Sequence, residues 1–265
     1  MPESELNKRL ETAVKAALAG GRYLAESLGE HHAIDFKGEV NLVTEADRRS
    51  EQMIYDIIRA AFPDDQFLAE EGTSSKGDSG VVWIVDPLDG TTNFAHGLPH
   101  FCVSIAVAMD DEPKAACIFN PNLNECFTAI EGRGAFLNQK RIRVSKTAAL
   151  GDSLLATGFP YDIRRTDDDN MANFVRFYKS SQGVRRAGSA ALDLAYVACG
   201  RFDGFWEHKL SAWDIAAGML LVSEAGGRIS DFDGDRAGIF KGEILASNGL
   251  LHPEMLAILK LRRQF

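Results

Sequence analysis

At 265 residues, with 45% hydrophobic and 25% charged side chains, the chain has the size and composition of a globular protein with a substantial core. Its net charge of −9 counts against nucleic acid as the main partner, and against an anionic substrate unless bound cations reverse the local field. No apolar run is long enough to span a bilayer, and "MPESELNKRLETAV" lacks the apolar segment of a signal peptide, so the protein reads as cytoplasmic with no membrane partner.

Leu6, Leu10, Val14, Leu18 and Leu24 recur at helical steps with one six-residue gap, predicting an amphipathic helix over 4–28 that ends near Gly29. Residues 34–43 read as extended. A second helix is predicted from Thr44 to Ala61, with Met53, Ile54, Ile57 and Ile58 inward, stopping before Pro63. A strand at Gln66–Ala69 leads into Glu70-Glu71-Gly72, and the "TSSKGDSG" that follows has the composition of a mobile surface loop. Val81–Val85 is a β-branched apolar run that suits a buried strand. A meander follows at Phe101–Met109, Lys114–Asn120, Glu125–Ile130 and Ala135–Val144, with turns at "DDEP", "NPNLN" and "EGRG".

Beyond residue 150 helices and strands alternate. Strands are expected at Ser153–Thr157, Val184–Arg186, Gly204–Glu207 and Arg228–Asp231. Helices are expected at Asn170–Ser181, Ser189–Cys199, Ala212–Glu224 and from Pro253. The run "RRTDDDN" (164–170) reads as a solvated loop. Cys102, Cys117, Cys126 and Cys199 show no CxxC pairing and read as reduced, while the six histidines form no metal-binding pattern. The sum is an α/β (α+β) layered sandwich, one domain over 1–265 with sub-regions 1–150 and 151–265.

Acidic residues gather where such folds place their sites, at the ends of strands and helices. Glu70 and Glu71 follow one strand, Asp86 and Asp89 another, and Asp47 and Asp214 sit near helix starts. Hard divalent cations such as Mg²⁺ take oxygen ligands and keep several waters, so two or three carboxylates per ion suffice. In "DPLDG", Pro87 fixes φ and withholds an N–H, which sets Asp86 to bridge two ions, with the Leu88 carbonyl and Asp89 completing the two shells. A helix starting at Gly90-Thr91-Thr92 offers free N–H groups to an anion. Each residue also has a plainer reading. Asp86 and Asp89 suit a turn, Asp47 a capping box with Thr44, Asp214 a helix dipole, and Glu70-Glu71 an exposed corner.

The blocks "GEVNLVTEAD" (38–47), "LAEEG" (68–72), "WIVDPLDGTTNF" (83–94), "RRAGSAALDLAYVACGRFDGFWE" (185–207) and "AWDIAAGMLLVSEAGG" (212–227) resemble the inositol monophosphatase family in its bacterial form. They span nearly the whole chain. The stretch around Asp86 is similar to the signature of the wider lithium-sensitive, Mg²⁺-dependent phosphatases, which include the fructose-1,6-bisphosphatase type.

The resemblance implies an α-β-α-β-α sandwich, normally a homodimer, that hydrolyses phosphate monoesters with two to three Mg²⁺ by direct attack of water. It implies that Glu70, Asp86 and the Leu88 carbonyl hold a first ion, that Asp86, Asp89 and Asp214 hold a second, and that Glu70 helps a third. Asp47 and Thr91 would orient and deprotonate the water, and Gly90 and Thr91 would face phosphate. Asp89, Asp214, the Gly188-Ser189-Ala190 turn and Glu207 would take the substrate. Arg185 is a further substrate candidate, although either Arg185 or Arg186 suits an inward position. Lys37 reads equally as a site residue or a solvated lysine, and Glu71 stands beside Glu70. "GFPYDIRR" favours myo-inositol 1-phosphate over fructose 1,6-bisphosphate, histidinol phosphate, NADP or a 3′-phosphoadenosine nucleotide. Relatives that act with the transcription machinery make such a partner a second expectation.

Overall fold

The computed structural model describes residues 1–29, 34–36 and 42–261. Its first half runs α1 (Glu3–Ser27), β1 (Ile34–Phe36), β2 (Leu42–Thr44), α2 (Glu45–Ala61), β3 (Gln66–Ala69), β4 (Ser74–Ser75), β5 (Val81–Asp89) and α3 (Thr91–Ala95). The meander is β6 (Cys102–Met109), β7 (Glu112–Asn120), β8 (Glu125–Ile130), β9 (Gly134–Leu137) and β10 (Lys140–Arg141). After a 3₁₀ turn at Leu150–Asp152 come β11 (Leu154–Thr157), α4 (Met171–Ser180), β12 (Gly183–Arg185), α5 (Ala190–Ala198) and β13 (Gly204–His208). The last elements are α6 (Ala212–Glu224), β14 (Arg228–Ser230), β15 (Glu243–Ser247) and α7 (His252–Lys260).

Period-two alternation along the strands sets the layers. In β6, Val103, Ile105 and Val107 face one apolar core while Cys102, Ala106 and Ala108 face another. The first core is closed by α1 and α2, the second by α5 and α6. A second sheet repeats the pattern: Ala156, Phe205, Ile244 and Ala246 join α5 and α6, whereas Leu155, Trp206 and Leu245 meet Phe177 of α4 and Met255 and Leu259 of α7. Helices, sheet, helices, sheet, helices is the expected α-β-α-β-α order.

The first sheet has eight strands in the order β10-β9-β8-β7-β6-β5-β3-β4, the second five in the order β12-β11-β13-β15-β14. β3 and β5 are parallel, so Glu70 and the end of β5 emerge on the same edge. β11 is parallel to both β12 and β13, which brings 158 and 207 to a common end.

The structure departs from the sequence expectations in several places. The buried stripe of α1 is Ala13, Ala16, Ala17, Gly20, Gly21 and Leu24, while Leu6, Leu10, Val14 and Leu18 flank it half-buried. Small residues let the helix sit close on the sheet, and a Cβ at Gly21 would collide with the Phe119 ring. The strand expected over 135–144 is a tight hairpin of β9 and β10. β15 was not anticipated, because its apolar run is short, yet it lies between β13 and β14. The "TSSKGDSG" segment carries β4, and Ser79 Oγ donates to Asp65 Oδ1 at 2.7 Å, so it is tied down. "RRTDDDN" ends in a buried anchor, since Asn170 Nδ2 donates to the Gly158 carbonyl and its Oδ1 accepts from Trp206 Nε1.

Candidate active site

The end of β5 is where the strand leaves its register. Val81 to Asp86 pair regularly with β6, the register then shifts, and Asp89 pairs with Cys102. Asp86-Pro87-Leu88-Asp89 is thus an irregular strand end, and not the turn that the sequence suggested. The bulge re-aims both carboxylates. Two buried contacts hold it. Ser50 Oγ on α2 donates to the Pro87 carbonyl at 2.9 Å, and the Leu88 amide donates to Asp86 Oδ1 at 2.9 Å. Gly90 then takes φ 107°, and a Cβ there would crowd the His100 carbonyl at 2.9 Å, so glycine is required to enter α3.

Thr91 opens α3 and its hydroxyl lies 3.0 Å from both Asp47 Oδ1 and the Leu88 carbonyl. Asp47 is 1% exposed, so this carboxylate belongs to the interior, whatever it does for its helix. Asp214 serves two purposes. Its Oδ2 accepts from the Ser211 amide at 2.6 Å, completing a capping box, and its carboxyl also lines the cleft. Asp89 Oδ2 accepts from Ser189 Oγ and the Ala191 amide, both at 2.7 Å, which ties β5 to the start of α5.

A cleft of about 190 Å³ opens here, lined by Glu70, Asp89, Gly90 and Thr91 on one side and Gly188, Ser189, Ala190, Glu207 and Asp214 on the other, with Asp47, Asp86 and Leu88 behind its wall. Burial, then repulsion from Glu70, Asp89 and Asp214, pushes the Asp86 carboxyl well above its usual range. Burial also raises Asp89, to about 6, and raises Asp214 strongly with help from Asp89. Among the described residues no Lys or Arg forms an ion pair with Asp86, Asp89 or Asp214. Nor do any three His, Cys, Asp or Glu side chains there close into a ready cage. An all-oxygen, electrostatically uncompensated set of this kind fits hard divalent cations that retain water.

Other expected residues fall differently. Arg186, and not Arg185, lines the cleft; Arg185 Nη1 donates to the Val184 carbonyl. Glu71 does not line it, and its amide donates to Glu51 Oε2 at 2.8 Å, while the Thr73 amide donates to Glu51 Oε1 at 3.0 Å. Glu51 is 2% exposed and holds the turn after Glu70 in place, a role the sequence did not suggest. Lys37 lies outside the described residues. Gly158, Tyr161 and Asp193 also line the cleft and were not anticipated. The spacing of Asp193 one helical turn after Ser189 was the available signal.

Comparison with known proteins agrees with this fold. Residues 5–264 match the family model described as "Inositol monophosphatase family". An inositol-1-monophosphatase of Synechocystis is 46% identical over 254 residues, covering 95% of this chain and 88% of that protein. A Nus factor SuhB of Pseudomonas aeruginosa is 45% identical over 248 residues, covering 90% and 91%. The solved inositol monophosphatase of Anabaena superposes with a TM-score of 0.89 at 44% identity, covering 97% of each chain. Match along almost the whole chain, together with the layered fold, places the protein in the inositol monophosphatase family.

Proposed function

We propose that the protein hydrolyses a phosphate monoester with Mg²⁺, with myo-inositol 1-phosphate as the favoured substrate. The observation that carries this reading is the mutual proximity of buried Asp86 and Asp89 and half-buried Asp214, none of them paired with a described cation, beside the Thr91–Asp47 pair. Glu70, Asp86, Asp89, Asp214 and the Leu88 carbonyl are the groups that would hold two to three ions. When bound, such ions neutralise phosphate charge and make a water more acidic. Asp47 accepts from Thr91 and so fixes the hydroxyl whose oxygen remains free to hold a water in line with phosphorus. Asp89 positions the start of α5 through Ser189 and the Ala191 amide, which presents Gly188, Ser189 and Ala190 to the alcohol. Glu207 closes that end.

The test is phosphate release from myo-inositol 1-phosphate, fructose 1,6-bisphosphate, histidinol phosphate, NADP and a 3′-phosphoadenosine nucleotide, with Mg²⁺ and with chelator. Inositol 1-phosphate is expected to rank first and chelation to abolish release. Asp86→Asn should lose about 10²–10³-fold in kcat with an unchanged fold. Near-normal turnover in that variant would refute the metal reading. Lithium inhibition, a cytoplasmic location and a homodimer accompany this proposal, and no helix of the described residues is long and apolar enough to cross a membrane. The relative named Nus factor SuhB supports a second role with the transcription machinery. Capture of RNA polymerase that survives Asp86→Asn would support it, and loss of capture would count against it.

A further inference from the structure

Asp193 is the one acidic residue in α5, among Ala191, Leu192, Leu194 and Ala195. It follows Ser189 by four residues and Ala190 by three, so it shares their helix face, and all three line the cleft. It is 1% exposed, and its Oδ1 is buried with no hydrogen-bond partner. Leaving a carboxyl oxygen buried and unbonded costs stability, and nothing in the surrounding packing uses it. A group held at such a cost, on the wall of a cleft, points to a ligand that satisfies it.

Its neighbourhood narrows the ligand. Glu207, from β13, lines the same wall, and its room is kept by Gly158, where any Cβ would collide with Glu207 Oε1. Arg186 lines the cleft as well, and its charge disfavours a cationic alcohol. We propose that Asp193 is a specificity-determining residue whose Oδ1 accepts a hydrogen bond from a hydroxyl of a polyol leaving group, next to Glu207. Burial, then the proximity of Glu207, holds the Asp193 carboxyl well above its usual range, and burial raises Glu207 to about 8. The carboxyl oxygens of that wall accept hydrogen bonds, which complements hydroxyl groups.

The inference rests on the phosphatase reading and deepens it. The measurement is kcat/KM for myo-inositol 1-phosphate against phenyl phosphate, whose leaving group carries no further hydroxyl, in the Mg²⁺-loaded enzyme. Asp193→Ala is expected to reduce that ratio about tenfold. Asp193→Asn, which keeps an acceptor oxygen, should recover part of it. The melting temperature of the isosteric Asp193→Asn variant without substrate should be no lower than that of wild type, because Oδ1 makes no hydrogen bond to lose and the repulsion from Glu207 and Asp89 is removed along with the attraction of Arg186. A ratio within twofold of wild type in Asp193→Ala overturns the inference. So does an equal loss on both esters accompanied by a lower melting temperature in both variants, the signature of a structural role. A larger loss on phosphoethanolamine than on inositol 1-phosphate would replace the hydroxyl with an ammonium and overturn it too. Wild-type inactivity on every ester would instead remove the phosphatase reading itself.

Discussion

Thr91 shows how little chemistry one residue needs when its neighbours are fixed. Its hydroxyl is shared between Asp47 and the Leu88 carbonyl, so its lone pairs have a defined direction. If Thr91 positions the attacking water as proposed, Thr91→Ala should lower kcat about a hundredfold with little change in KM. Thr91→Ser should restore most of it. A rise confined to KM would mean that Thr91 only binds phosphate, which steady-state kinetics on both variants can distinguish. Most of the candidate site was legible at this scale. Asp86, Asp89 and Asp214, which their spacing proposed as ligands, lie close enough together that, beyond burial, Asp89 and Asp214 raise the Asp86 carboxyl and Asp89 raises that of Asp214. Arg185 was misplaced because a three-residue strand followed by a turn does not say which of two adjacent arginines faces inward. Glu51 was missed because an acidic residue inside a helix has no distinctive pattern until its neighbours are known, and Asp193 because its spacing from Ser189 gains meaning only once Ser189 is placed on the cleft.

At the scale of elements, the site depends on where β5 stops being regular. The Ser50–Pro87 contact ties that irregular end to α2 across a buried boundary. Ser50→Ala leaves the Pro87 carbonyl without its donor and should destabilise the fold by about 1–3 kcal/mol, read from chemical denaturation. Activity should also fall, since Asp86 and Asp89 flank the freed carbonyl. Unchanged stability would mean that the bulge is held by the chain alone. Long amphipathic helices were readable because their periodicity reflects one buried face, and the β-branched run of β5 because both its faces are apolar. β15 and the β9–β10 hairpin were not. Their few residues are strands only because neighbouring strands supply hydrogen bonds on both sides or close a tight turn.

Taken whole, the molecule packs several buried carboxyls around one cleft at an overall charge of −9. Glu207 illustrates the consequence. Burial, then Asp89, raises its folded value from the ordinary 4.5 to about 8. The folded state then holds a proton that the unfolded chain has released, so this contribution is intact below about 4.5 and is lost as pH rises to about 8. In chelator, the melting temperature should decline across that window. Glu207→Gln should flatten the decline, with the variant and wild type converging near pH 4.5. A wild-type profile that rises over the same range would contradict a Glu207 carboxyl whose burial outweighs the attraction of Arg186. Mg²⁺ should raise the melting temperature more at high pH than at low pH, because it binds the ionised carboxyls.

The sequence by itself determined the family, the layered fold and the acidic residues, since hydrophobic period and motif spacing are local properties of the chain. It determined their order along the strands and helices as well. Tertiary structure alone decided which arginine lines the cleft, that Asp86 and Asp89 sit on an irregular strand end, and that Asp193 stands unpartnered beside Glu207. Those facts depend on which groups meet across separate elements, as Asp89 and Ser189 do at a separation of 100 residues, and on the close packing that leaves one carboxyl bonded and another waiting for a ligand.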